Sequence, residues 1–165
     1  MRLGLADLRR ASILVLLVVL QFALRPFLVD ARAAPDFLLL ALLVYAIRAR
    51  PGEAAVAGFL VGIASDALAP VAVGAGALAH TCVGWLAAWG KAVFFAENLL
   101  VSAAFFFAGT WLRDALMLLA GRQLDSAAWV WQLLVWSPLR GLTTALAGVI
   151  VLAVFHRWLD VRITA

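Results

Sequence analysis

ENLLVSAAFFFAGTWLRDALMLLA, residues 97–120, is an apolar run long enough to cross a bilayer, with one Arg-Asp pair in its second half. Bridging the hydrocarbon takes about 20 helical residues. Further charge-poor runs flank it at about 11–29, 36–48, 53–69, 73–90 and 137–157, which predicts six spans. The second and third are short and must sit upright, borrow neighbouring residues or thin the bilayer. No period-2 alternation appears, and an open sheet edge is not viable in lipid, so every span is expected to be helical. The expected fold is a compact all-α membrane bundle forming one polytopic domain over 1–165.

Composition agrees. The 165 residues are 67% hydrophobic and 13% charged, with a mean hydropathy of +1.08. Soluble domains sit near roughly 45–50% apolar and about 25% charged, and a core of this size cannot hide the excess. A soluble enzyme, a disordered tail and a disulfide scaffold are excluded; Cys82 is the only cysteine. The formal net charge is +4, but the basic residues stand singly between apolar runs and form no phosphate-tracking face, so nucleic acid is not an expected partner.

The first run follows Arg2, Arg9 and Arg10 in the manner of a signal peptide, and Ala31-Arg32-Ala33 imitates a cleavage site. Arg25-Pro26 interrupts the run before that site, so an uncleaved first span is expected. Residues 121–136 combine Arg122, Asp125 and Gln132 with Trp129, Trp131 and Trp136, which predicts an interfacial helix ending at Ser137-Pro138. With the N-terminus inside, eight basic residues (Arg2, Arg9, Arg10, Arg48, Arg50, Lys91, Arg157, Arg162) are cytoplasmic and two (Arg32, Arg122) are outside. That asymmetry puts both termini in the cytoplasm. Tyr45, Trp85, Trp89 and Trp158 then fall near the inner interface, and the three tryptophans of 121–136 near the outer one.

Small residues recur at fourth positions: Ala54, Gly58, Gly62 and Asp66 on the third span, and Gly76, His80, Gly84 and Ala88 on the fourth. Such ridges let two backbones approach closely and are read as helix packing rather than a homodimer face. Arg25, Asp36, Asp66, Arg113, Asp114 and Arg140 thread to similar depth below the outer surface. Intramembrane charges face the bundle interior and pair with one another. Two uses stay open: an ionic lock between helices, or a polar crevice for a partner or small ligand. Individual pairs are not assigned.

His80 with Ser65 and Asp66 makes a notional triad, but no Gly-x-Ser-x-Gly elbow accompanies it, and a hydrogen-bonded histidine between packed helices is expected. His80 and His156 lie on different spans, without metal-ligand spacing, and there is no phosphate-cradling Gly-x-x-x-x-Gly-Lys motif. No catalytic residue, cofactor or metal is expected.

Ala34-Pro35-Asp36 opening the second span, Gly58-Phe59-Leu60-Val61-Gly62 leading to Asp66 on the third, and Gly74-Ala75-Gly76-Ala77-Leu78 entering the fourth resemble the MreD family of bacterial rod shape-determining membrane proteins. Gly76 departs from it, since larger polar residues are commoner there. The resemblance implies a non-enzymatic member of the wall-elongation machinery in the bacterial cytoplasmic (inner) membrane, supporting lateral peptidoglycan synthesis and cell shape. Its implied partners are MreC, the MreB filament, RodA and its transpeptidase, with membrane lipids around them. The competing expectation is the substrate-binding subunit of an energy-coupling-factor vitamin transporter, also a small six-span bundle. Such subunits usually carry an Ala-x-x-x-Ala ridge on the first span, whereas that span here offers only Ala11 and Ala23.

The topology makes a direct prediction. A reporter fused after Ala165 reads as cytoplasmic by fluorescence and shows no periplasmic phosphatase activity; the opposite pattern removes the six-span threading.

Overall fold

A computed structural model describes residues 5–24, 32–68, 74–94, 99–120 and 126–159. They form α1 (Leu5–Leu24), α2 (Phe37–Ala46), α3 (Pro51–Leu68), α4 (Ala75–Phe94), α5 (Leu99–Ala120), α6 (Ser126–Trp131) and α7 (Ser137–Leu159), and no strand occurs among the described residues. Two stretches, Leu99–Ala120 and Ala128–Phe155, are long and apolar enough to cross a membrane.

The surface is inverted relative to a water-soluble protein. Val56, Phe59, Leu60 and Ile63 stand exposed on α3, and Leu139, Leu142, Leu146, Ile150 and Val154 on α7. Continuous apolar exposure on this scale is an aggregation hazard in water and a normal surface in lipid.

At the centre lies α2. Every residue from Phe37 to Ala46 except Tyr45 is buried. A helix apolar on all sides must be surrounded by protein or lipid. Here Ile13 and Leu17 of α1, Val83 and Ala87 of α4, Phe105 and Phe106 of α5, and Ala145 and Leu152 of α7 join it in one core. Its 10 residues span about 15 Å, half of a hydrocarbon layer of about 30 Å. The stretch expected over 36–48 is thus shorter as a helix than a span requires. Its limits are chemical. Asp36 caps the start; at the far end Ile47, Arg48 and Ala49 N–H groups fold back onto Leu43 and Tyr45 carbonyls. Arg50 precedes Pro51 and is steered away from helical geometry. Pro51 then opens α3, where its missing N–H costs nothing, and Glu53 Oε2 accepts the Arg50 N–H at 3.2 Å.

The helices α3 and α4 pack antiparallel along the two small-residue ridges. A Cβ on Gly58 would run into the His80 carbonyl, one on Gly62 into the backbone of Gly76 and Ala77, and one on Gly84 into the Ala54 carbonyl. Fourth-residue rows of one helix thus meet those of the other inside a single chain. The turn into α4 closes with Gly74 at φ +94°, a conformation that side chains disfavour.

One boundary differs from expectation. The helix of residues 126–131 does not end at Ser137-Pro138; it runs through a π-helical turn, Gln132–Trp136, into α7. Pro138 has no N–H for a carbonyl four residues back, and the wider turn lets the Ser137 N–H reach the Gln132 carbonyl instead. The Leu133 carbonyl is taken by the Trp111 indole N–H at 3.2 Å.

Gly62→Val tests the ridge contact. Overpacking at a backbone-to-backbone approach should cost about 1–3 kcal/mol or more, read as a lower melting temperature in lipid nanodiscs. Gly52 has open space around it, so Gly52→Ala should be neutral or stabilise by up to ~1 kcal/mol.

Candidate functional site

A helix buried in an apolar medium has to satisfy its first four N–H groups without water. At the start of α2 three side chains answer three of them. Asp36 Oδ1 accepts the Leu39 N–H at 2.9 Å. Gln21 of α1, itself buried, accepts the Phe37 N–H at 2.9 Å. Thr144 of α7 accepts the Asp36 N–H at 3.0 Å. The N-terminus of the central helix is thereby tied to two outer helices.

Asp36 Oδ2 also accepts from Arg113 Nη2 on α5, an ion pair whose side chains are 14% and 6% exposed. Arg113 Nη1 lies 2.8 Å from Asp114 Oδ1, and Arg140 Nη1 of α7 reaches the same oxygen at 3.3 Å. The result is an alternating chain, Asp36–Arg113–Asp114–Arg140, with two carboxylates and two guanidinium groups. Equal numbers of opposite charges allow it to sit in a low-dielectric layer, where a lone ion would be very costly. On its outer side Arg140 Nε donates to the Arg32 carbonyl at 3.0 Å and Thr143 Oγ1 to the Ala33 carbonyl at 2.7 Å. The loop before α2 is therefore clasped by α7, and the Arg32 guanidinium lies 5.5 Å over the Trp136 ring.

Asp66 does something else. Its carboxylate accepts backbone N–H groups from Gly74 (2.8 Å), Gly76 (3.0 Å) and Ala77 (3.2 Å). It caps α4 from the end of α3, where the helix dipole favours a negative charge. Three backbone donors occupy the oxygens that the convergence of six charges would have offered to an arginine. A Cβ at Gly76 would collide with Asp66 Oδ1, so the missing side chain is what admits the carboxylate. Of the six expected charges, four form the ionic chain, Asp66 caps a helix, and Arg25 lies outside the described residues. Pro35 precedes the Asp36 cap, and Gly74 opens the α4 turn.

His80 is fully buried on α4, its Nδ1 2.8 Å from the Gly76 carbonyl. It bonds within its own helix, and no hydrogen bond to Ser65 or Asp66 is seen among the described residues. Groups of three or more potential metal ligands are also absent among the described residues. Four buried polar atoms of the described residues have no hydrogen-bond partner: His80 Nε2, Arg113 Nε, Asp114 Oδ2 and Ser137 Oγ. The residues that sequence reasoning passed over are Gln21, Thr143 and Thr144; the two threonines follow Arg140 at i+3 and i+4 on α7, a spacing that marks the same helix face.

Inverted surface, buried polar layer and helix-on-helix core define an all-helical membrane protein whose charges bind one another. A family model described as rod shape-determining protein MreD matches residues 6–160, and the chain belongs to that family. No curated protein and no solved structure matches it. Of the two functional expectations above, the family is that of the first.

Arg113 makes the sharpest stability prediction. Arg113→Ala strands Asp36 and half of Asp114 in a buried site and should cost about 3–5 kcal/mol, measured by thermal denaturation in nanodiscs. Arg113→Lys should recover only part of that, because one ammonium cannot reproduce a fork held between two carboxylates. An unchanged melting temperature for the alanine variant would show the layer to be solvated.

Proposed function

We propose that this chain is a non-enzymatic scaffold of the rod-elongation complex, a multi-pass protein of the bacterial cytoplasmic membrane that docks MreC. The family match over nearly the whole chain carries this reading. In it, six spans place both termini in the cytoplasm, where eight basic residues face anionic lipid and the MreB filament. RodA and its transpeptidase lie alongside and supply the chemistry of lateral peptidoglycan synthesis.

Two physical features support a scaffold. Several of the described polar side chains hold helices together, from the α2 cap to the Asp66 cap. The faces left over are apolar helix surfaces, such as the α7 stripe from Leu139 to Val154. In lipid such faces associate with other helices through close packing and interhelical hydrogen bonds. A bundle with short turns acts on its partners through those faces.

Affinity-tagged protein extracted with MreC in mild detergent tests the proposal. MreC is expected to co-elute with the folded bundle, and to be reduced in the eluate when a tryptophan is placed at Leu142 or Leu146 on the α7 face. Folded protein that elutes without MreC would remove the docking role.

A further inference from the structure

The Trp85 and Trp89 indoles of α4 stack on each other, with ring centroids 6.5 Å apart and planes 7° from parallel, and stand 45% and 67% exposed. An indole N–H donates and cannot accept, and neither of these has a hydrogen-bond partner among the described residues. Trp111 and Trp136 differ: the first donates to the Leu133 carbonyl and the second lies under the Arg32 guanidinium.

The glycine contacts fix where the stacked pair sits. A Cβ on Gly62 or Gly58 would meet the Cα atoms of Ala77 and Thr81. Residues at fourth positions share one side of a helix, so the row Ala77, Thr81, Trp85, Trp89 runs along α3 toward its start. The Ala54 carbonyl meets Gly84, the residue before Trp85, and the Ala54 N–H bonds the Arg50 carbonyl at 2.9 Å. Arg50 therefore lies one helical turn beyond that contact, level with the Trp85–Trp89 stretch. It is exposed, and its guanidinium has no ion pair among the described residues. Open space adjoins Gly52. Arg48 is exposed as well, and Glu53 is the one described acid beside the two arginines, so the turn carries a net positive charge.

We propose that this end of the α3–α4 hairpin binds the headgroup of an anionic phospholipid, its phosphate accepting from the Trp85 and Trp89 indole N–H groups and facing the Arg50 guanidinium. Indole and guanidinium only donate, so their ligand has to be an acceptor, and the charge of the turn selects an anion. The surface next to the site makes that anion a lipid rather than free phosphate. Further along α3 the exposed side chains are Val56, Phe59 and Leu60, which offer an acyl chain an apolar path. Indole rings also favour the headgroup level of a bilayer. The site narrows the lipid contact of the reading above to three named side chains. It rests on the chain lying in a membrane, and not on MreC docking or on which end is cytoplasmic.

Native mass spectrometry of the full chain in mild detergent, titrated with phosphatidylglycerol or phosphatidylcholine of matched acyl chains, tests this. Phosphatidylglycerol is expected to bind more tightly. Loss of one basic residue at a lipid surface weakens attachment about fivefold, so Arg50→Gln should lower phosphatidylglycerol affinity by that factor and narrow the preference. Trp85→Phe combined with Trp89→Phe keeps both rings, removes both donors and should weaken the two lipids alike. Arg162→Gln, which removes a positive charge elsewhere, should change neither. Equal affinity for the two lipids, or the same loss in Arg50→Gln and Arg162→Gln, would overturn the site. Displacement of the lipid by millimolar inorganic phosphate would also overturn it, by assigning the donors to a free anion. The detergent sample has no sides and holds no MreC, so its failure is distinct from a failure of the topology or of docking.

Discussion

The buried N-terminus of α2 is the constraint around which the other helices are arranged. A ten-residue helix enclosed by protein begins with N–H groups that neither lipid nor its own backbone can satisfy, and each left unpaired would cost several kcal/mol in hydrocarbon. Gln21, Asp36 and Thr144 meet that need from three separate segments. Helices α1 and α7 are thereby fixed in register against α2. The same carboxylate that caps the helix holds Arg113, so the capping requirement and the ionic chain are one structure. Removing the cap would also take away one of the two carboxylates that hold Arg113.

The second anchor is of a different kind. Helices α3 and α4 are held by the absence of side chains: the Gly58, Gly62 and Gly84 contacts bring backbone against backbone, and dispersion over that interface substitutes for a hydrophobic drive that lipid does not provide. Asp66 ends the hairpin by answering three N–H groups at the start of α4. Both anchors follow one rule, that an acidic side chain sits at the positive end of a buried helix. Asp36 acts from within its own helix start and Asp66 from across a turn.

Much of this was legible in the residues. Charge-poor runs gave the helices, because in lipid a backbone has few alternatives. Fourth-residue small rows gave the faces at which α3 and α4 meet, because that spacing is a geometric property of a helix. The depth of Asp36, Arg113, Asp114 and Arg140 gave their meeting, because isolated charges are not tolerated there. What was not legible depended on turns and local donors. Asp66 looked like another member of the ionic cluster because spacing along a chain says nothing about backbone N–H groups that a later turn brings back to it. Ser137-Pro138 looked like a stop because proline removes one hydrogen bond, whereas a π turn reroutes the bonding and the helix continues. Gln21 gave no signal beyond being polar in an apolar run, Thr143 and Thr144 only their helical spacing from Arg140, and the partners of all three are backbone atoms that carry no residue identity.

Why a membrane bundle should keep an ionic layer at all follows from the solvent. Between helices in water, burial of apolar surface selects the packed state over the separated one. In lipid that term is nearly equal on both sides, and many helix rotations of similar packing compete. The Asp36–Arg113–Asp114–Arg140 chain breaks the degeneracy, because rotating α5 or α7 out of place leaves a guanidinium or carboxylate unpaired, a loss of several kcal/mol against fractions of one for a slipped apolar contact. Well-packed leucines would supply stability, and the ionic chain adds a penalty for misrotated helices that apolar packing lacks. The proposed scaffold role, in which particular helix surfaces meet other membrane proteins, would need that single arrangement. The buried charges thereby fix which apolar residues of α5 and α7 point outward, and the proposed docking role would draw on that.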